Sequence, residues 1–171
     1  ISCCRLDLDS TRTKYGAQKI LKSFREGDCQ VLLGTQMVSK GHDIPGVQAV
    51  GILSADNMLN FPSYLAAERT FSLITQSAGR AGRRGKQGEV ILQTFNPDSY
   101  VIRTAQKQDY DSFYSEEIQL RRAFRYPPFS RMMKITCFAE TYEKADAHAQ
   151  KICQWLKENV KTGGASVTPP Y

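Results

Sequence analysis

Four short apolar runs recur along the chain, at Ile1 to Leu6, Cys29 to Leu33, Ala49 to Leu53 and Glu89 to Gln93. Compact apolar runs of this kind suit buried strands of a parallel sheet. Between the first two runs, Ser10-Thr11 can cap a helix that continues through Ala17, Ile20, Leu21 and Phe24 at helical spacing, and Glu26-Gly27-Asp28 stops it. Between the last two, a helix is expected from about Ser63 to Ile74, with Tyr64, Leu65, Phe71 and Ile74 as core positions. Strand, helix, strand, connection, strand, helix, strand is the order of an open parallel sheet with helices on its faces, so the expected class is α/β. Ligands of such sheets gather beyond the carboxyl ends of the strands, where Gly34-Thr35-Gln36 and Ala55-Asp56 fall.

The pattern shifts near Asn96-Pro97-Asp98. From there to about Arg125 the chain reads as helical and heavily charged, until Tyr126-Pro127-Pro128-Phe129 breaks it. Arg131 to Phe138 then reads as a strand, and Tyr142 to Val160 as an amphipathic helix with Ala145, Ile152, Trp155 and Leu156. That β-α tail is too small to hold a good core alone. With 171 residues, 41% of them hydrophobic, the chain can bury one respectable core and a small second module. A net charge of +6 permits a polyanionic partner without specifying one.

The cysteines are Cys3, Cys4, Cys29, Cys137 and Cys153. None form a C-x-x-C pair, Cys29 and Cys137 sit at the edges of apolar runs as small hydrophobes, and the odd count fits a reducing cytosol. No run is long enough to span a bilayer, and there is no signal-like segment, so a cytoplasmic protein without membrane contact is expected. The chain opens on Ile1 in an apolar stretch and closes on Pro169-Pro170-Tyr171, as though both ends were cut from something longer.

Gln76-Ser77-Ala78-Gly79-Arg80-Ala81-Gly82-Arg83 carries the sharpest chemical signal. Arginine presents a rigid fork of donors that matches phosphate oxygens. The glycines let the backbone turn where a Cβ would obstruct a ligand or a facing domain. Two forks three residues apart, expected on one face of a helix start, suit a nucleoside triphosphate during phosphoryl transfer. A Gly-Arg surface turn touching RNA or solvent is the plainer alternative.

The second signal runs from Gly34 to Pro45 and includes Thr35, Gln36, Lys40, Gly41, His42 and Asp43. Hydroxyls and amides at a strand end can hold sugar-phosphate oxygens without reading bases. Asp43 suits a ribose hydroxyl or an Asx turn before Pro45. His42 and His148 are the only histidines, and neither has the company needed for a zinc site or a catalytic triad. No G-x-x-x-x-G-K-[ST] phosphate loop appears, and no acidic motif follows a strand to hold magnesium. Arginines suited to a triphosphate without a cradle for one are the pattern of a lobe that supplies an arginine finger across a cleft.

In order, these segments resemble motifs V and VI of superfamily 2 helicases, and more closely the bacterial replication-restart helicases within them. Thr35-Gln36-Met37, Lys40-Gly41-His42-Asp43, Ala67-Glu68-Arg69 and the stretch from Gln76 to Val90 carry the resemblance. So do Leu6-Asp7 with Asp9-Ser10-Thr11, and Arg121-Arg122 with Tyr126-Pro127-Pro128-Phe129. Ser77 departs from a common valine, and Leu65 stands where an arginine often precedes Ala66-Ala67-Glu68-Arg69.

The resemblance implies a C-terminal fragment of an ATP-dependent 3′-to-5′ DNA helicase. Residues 1 to 107 would be a second RecA-like lobe, 108–125 a connecting helix, and 126–171 the truncated start of an α+β C-terminal DNA-binding domain. It further implies Arg83 and Arg80 at the ATP phosphates, Arg83 as the finger, with Gln76, Gly41 and Asp43 near the nucleotide. Thr35, Gln36 and Lys40 would touch the DNA backbone. ATP and Mg²⁺ would be held mainly by the missing lobe, and the family's zinc would lie outside this chain. Single-stranded and forked DNA, primosome proteins and single-stranded-DNA-binding protein are the implied partners, and the fragment alone would be inactive. The competing function is a non-catalytic single-stranded nucleic-acid-binding module, using Arg121, Arg122, Arg125, Arg131, Tyr126 and Phe129.

Overall fold

A parallel pair of strands cannot be joined by a tight turn, so each pair requires a crossover long enough to hold a helix. The chain contains two such units. Strand β1 (Cys3–Leu6) runs parallel to β2 (Val31–Gly34), with Cys3 opposite Val31 and Leu6 opposite Gly34. Helix α1 (Gly16–Glu26) makes their crossover. Strand β3 (Ala49–Ile52) runs parallel to β4 (Glu89–Leu92), and α2 (Ala55–Leu59) and α3 (Ala66–Ala78) lie between them in the chain. The computed structural model describes residues 1–7, 15–35, 46–79, 81, 88–160 and 166–170.

All four expected strands are present and parallel. Among the described residues they form two separate pairs, β1-β2 and β3-β4, instead of the single sheet expected. The sequence pattern specifies that strands are buried and crossed over; it does not specify which edges meet. Helix α1 ends where anticipated. Gly27, at φ 87°, donates to the Phe24 carbonyl while Asp28 N–H reaches Ser23, a left-handed stop that glycine makes without a Cβ clash. The proposed cap Ser10-Thr11 lies outside the described residues.

Cys29 is buried, but it is not a free thiol as expected. It forms a disulfide with Cys4, their Cα atoms 5.9 Å apart. The ladder places them: Cys4 stands opposite Leu32, and the Ser2 carbonyl accepts from Gln30 and Val31 N–H at 2.9 and 3.1 Å. Spacing along the chain, 25 residues, gives no hint of that approach.

The larger core gathers Ile52, Ala55, Phe71, Ile74, Val101, Ile102, Ala105 and Phe113. Phe71 and Ile74 are buried as their helical spacing required. The stretch expected to be helical up to Arg125 is two helices, α4 (Tyr100–Gln106) and α5 (Tyr110–Ala123). Gln108 takes a left-handed φ of 53° and Asp109 N–H bonds back to the Thr104 carbonyl, which ends α4. The Asp109 carboxylate then caps α5 by accepting from Ser112 N–H at 3.0 Å. This break lets Phe113 stack on Phe71, ring centroids 4.3 Å apart. The helix assigned a connecting role therefore packs into the core of the first compact unit, Ile1–Phe129.

The second unit is Ser130–Tyr171. Its helix α6 (Tyr142–Asn159) is capped by Thr141 and buries Cys153, whose thiol lies 3.8 Å from the Thr168 carbonyl. The strand expected at Arg131 to Phe138 is not formed among the described residues, which offer it no ladder partner. Trp155, expected on the apolar face of this helix, is 60% exposed.

A polar network ties α3, α4 and α5 together. Arg121 donates to Glu117 at 2.7 Å and to Glu68 at 2.9 Å, and Glu117 also accepts from the Tyr100 hydroxyl. Burial, then the bond to Glu117, pushes the Tyr100 phenol above its usual range. Arg121 and Glu117 side chains are 13% and 11% exposed, whereas Glu68 is 54% exposed. Removing the cation from a largely buried carboxylate is therefore the costly change. Arg121→Met is expected to lower stability by about 2–3 kcal/mol, less than a fully buried pair because Tyr100 still serves Glu117. Glu68→Gln should cost less than about 1 kcal/mol. Urea denaturation of both variants decides it; equal losses would contradict this ranking.

Candidate functional site

Of the candidate residues the structure describes Thr35, at the carboxyl end of β2, and Gln76, in the last turn of α3. Thr35 is exposed immediately after β2. Gln76 is exposed near the end of α3, one residue before buried Ser77. Gln36, Lys40, Gly41, Asp43, Arg80 and Arg83 lie outside the described residues, as does His42. The octet begins at the close of α3, Gln76 to Ala78, while the helix start expected to carry its two arginines falls on residues outside those described.

What holds that end of α3 is local and well defined. Thr70 and Thr75 return their hydroxyls to the carbonyls of Ala66 and Phe71 at 2.9 and 3.0 Å, so neither leaves a buried donor unmet. Gly79 N–H donates to the Thr75 carbonyl at 3.0 Å. Its backbone is ordinary, with φ −65°, and a Cβ there would sit 3.6 Å from the Gln76 and Thr75 carbonyl oxygens. The turn itself does not demand glycine at this position. Any need for a bare backbone at Gly79 must come from something that approaches it. Gly79→Ala is accordingly expected to fold normally and to gain about 0.5–1 kcal/mol, as a helical glycine replaced by alanine does. A fall in melting temperature would refute this reading of the turn.

Beyond the carboxyl ends of β3 and β4, Asp56 acts as a staple. Its carboxylate accepts from the Thr94 hydroxyl at 2.9 Å and from Phe95 N–H at 3.0 Å, and Ala55 N–H reaches the Gln93 carbonyl. Asp56 thus has a structural task, where sequence placement alone suggested proximity to a ligand. The Phe95 N–H, chiefly, holds this carboxyl below its ordinary value of 3.8, with Thr94 assisting. A depressed folded-state value contributes stability at pH above 3.8 and loses it as pH falls through the lower one. The stability advantage of the wild type over Asp56→Asn should therefore shrink on acidification below about pH 4. A difference that stays constant from neutral pH into acid would rule the staple out.

Two motifs far apart in sequence meet here. Glu68, in the Ala67-Glu68-Arg69 segment, pairs with Arg121 of Arg121-Arg122, 53 residues later. Composition could not reveal this, because charge runs usually mark solvated faces. The signal was the coincidence of a glutamate in the first turn of one core helix with an arginine in the last turn of another.

Helix α5 itself ends in an aromatic turn. Tyr126 N–H bonds to the Arg121 carbonyl at 2.8 Å and Arg125 N–H to that of Arg122 at 3.2 Å. This is a Schellman-type stop, with Arg125 at φ 54° in the left-handed place that glycine usually fills. The strain is about 1–2 kcal/mol for an L-residue. Phe124 and Tyr126 stack with centroids 5.9 Å apart, and the Arg122 guanidinium lies 5.0 Å from the centre of the Phe129 ring.

Residues 2–85 match the family described as the helicase conserved C-terminal domain. The chain is 44% identical over 169 residues to the replication restart protein PriA of Bacillus subtilis (strain 168), covering 96% of this chain and 21% of that protein. It is 40% identical over 156 residues to the replication restart protein PriA of Chlamydia muridarum, covering 91% and 21%. The chain thus spans about one fifth of the length of the curated relatives it matches. Among solved structures, the C-terminal domain of the DEAD-box protein Dbp5 aligns at a TM-score of 0.47 and 20% identity, over 71% of this chain and 68% of that one. That last likeness is too slight to bear on mechanism.

Proposed function

We propose that the chain, which is similar to the replication restart protein PriA and matches the helicase conserved C-terminal domain over residues 2–85, is the arginine-finger lobe of an ATP-dependent DNA motor. The observation that carries the proposal is where the octet starts. Gln76 is exposed at the last turn of a core helix, Arg80 and Arg83 follow it in the sequence, and the chain has no phosphate loop of its own. Arginine forks without a cradle act on a triphosphate held by another lobe. In this reading Arg83 neutralises charge that builds on the transferred phosphoryl group, and Arg80 binds the phosphates beside it. Gln76 couples nucleotide state to lobe closure, Gly41 and Asp43 lie near the nucleotide, and Thr35, Gln36 and Lys40 touch the DNA backbone.

ATP with Mg²⁺ is the cofactor this assignment requires. The metal-binding carboxylates and any zinc ligands belong to parts of the longer protein outside this chain. The substrate is single-stranded and forked DNA, translocated 3′ to 5′ during replication restart in the cytoplasm, with primosome proteins and single-stranded-DNA-binding protein as partners. The 171-residue chain alone should show no ATP turnover. In the longer protein, Arg83→Ala should reduce DNA-stimulated turnover by about 10³-fold or more, the range of a lost arginine finger, while DNA affinity changes little. Unimpaired turnover in that variant would remove Arg83 from the mechanism.

A further inference from the structure

We propose that the turn ending α5 is a stacking surface for single-stranded nucleic acid, built from Phe124, Tyr126 and Phe129 with Arg122. The inference rests on the nucleic-acid reading above and adds residues that reading does not name. Three observations carry it.

First, the rings are exposed where an ordinary helix end would bury them or lack them: Phe124 by 64%, Phe129 by 41% and Tyr126 by 36%. Phe124 and Tyr126 stack on each other with 29° between their planes, so the more exposed Phe124 is the outer step of an existing stack. Base faces stack on such a step whatever their identity.

Second, the surface is stiff, because it is supported from one side. Arg121 donates to the Pro127 carbonyl at 3.4 Å and lies 5.5 Å from the centre of the Tyr64 ring, which in turn lies 6.1 Å from Tyr126. Phe129 N–H closes the turn on the Tyr126 carbonyl at 2.9 Å. Rings already held in place lose little freedom when a base covers them.

Third, the charge is right for phosphate. Arg121 is neutralised by Glu117 and Glu68, but Arg122 has no carboxylate partner among the described residues. It lies against Phe129, which orients the guanidinium without cancelling it. Nothing in the turn offers a fixed set of donors and acceptors for a base edge, so the occupant is read by stacking and phosphate contact, not by sequence.

The test is equilibrium anisotropy of labelled oligothymidylate and oligouridylate titrated with the full 171-residue chain, without ATP, across a salt series. Binding of both is expected, because neither rings nor guanidinium forks need to read the 2′-hydroxyl. Phe124→Leu and Phe129→Leu should each weaken binding by about tenfold, with an unchanged melting temperature for Phe124→Leu. Arg122→Gln should reduce the log–log salt slope by about 0.7, one phosphate contact on a single strand. No binding by the wild type, wild-type affinity in the double leucine variant, or discrimination between the two oligonucleotides would overturn the proposal. So would loss of self-association in place of loss of oligonucleotide binding, which would mark the rings as a protein contact. Because no nucleotide is present, failure here leaves the Arg83 assignment standing, and failure of that assignment leaves this surface untouched.

Discussion

The stacking of Phe71 on Phe113 sets where α3 can lie, and the candidate nucleotide site begins at the end of α3. One face of that helix is committed to the β3-β4 ladder through Ile52 and its neighbours, and another to α4 and α5. A helix gripped on two sides presents its remaining face and its last turn in one orientation. Gln76 is on that remaining face, and the Gly-Arg segment follows directly. Aromatic stacking is well suited to this task because two rings 4.3 Å apart tolerate little sliding before contact is lost.

The polar ties serve the same end by different physics. Arg121, Glu117 and Glu68 add directional bonds between α5 and α3 at the far end from Gln76. Hydrophobic burial fixes how closely the helices approach, whereas these bonds fix their register. Asp56 does the equivalent work beyond β3 and β4, where backbone groups leaving the ladder would otherwise face solvent without order. Thr35 and Gln76 are therefore surface residues on a frame held by groups that point the other way.

Much of the fold was legible because parallel strands announce themselves as unbroken apolar runs. All four strands fell within two or three residues of expectation, and Phe71 and Ile74 were recognisable as core from helical spacing. What stayed hidden depended on approach in space. The bond between Cys4 and Cys29 arises from strand register, and the division of the strands into two pairs arises from edge contacts that periodicity does not encode. The break at Gln108 was missed because glutamine carries no turn signal, although its left-handed φ is what folds α5 back. For Arg131 to Phe138, apolar content suggested a strand, but a strand needs a partner and the described residues supply none. Of the site, residue types and their order were legible. The reason for Gly79 was not, since its backbone turns out to be unstrained.

By itself the amino-acid sequence determined the chemistry available to this protein. It supplied the arginine forks of Arg80 and Arg83, the polar strand end at Thr35, and the apolar runs that require a layered α/β arrangement. Those depend on residue type and local period, which a linear chain already contains. The tertiary structure alone decided which of these groups are spent and which are left over. Arg121 is consumed by Glu68 and Glu117 while its neighbour Arg122 lies on Phe129, and Asp56 is consumed by the loop after β4. The physical reason is that a charge or a ring acts over only a few ångströms, and only folding determines which partners stand within that distance.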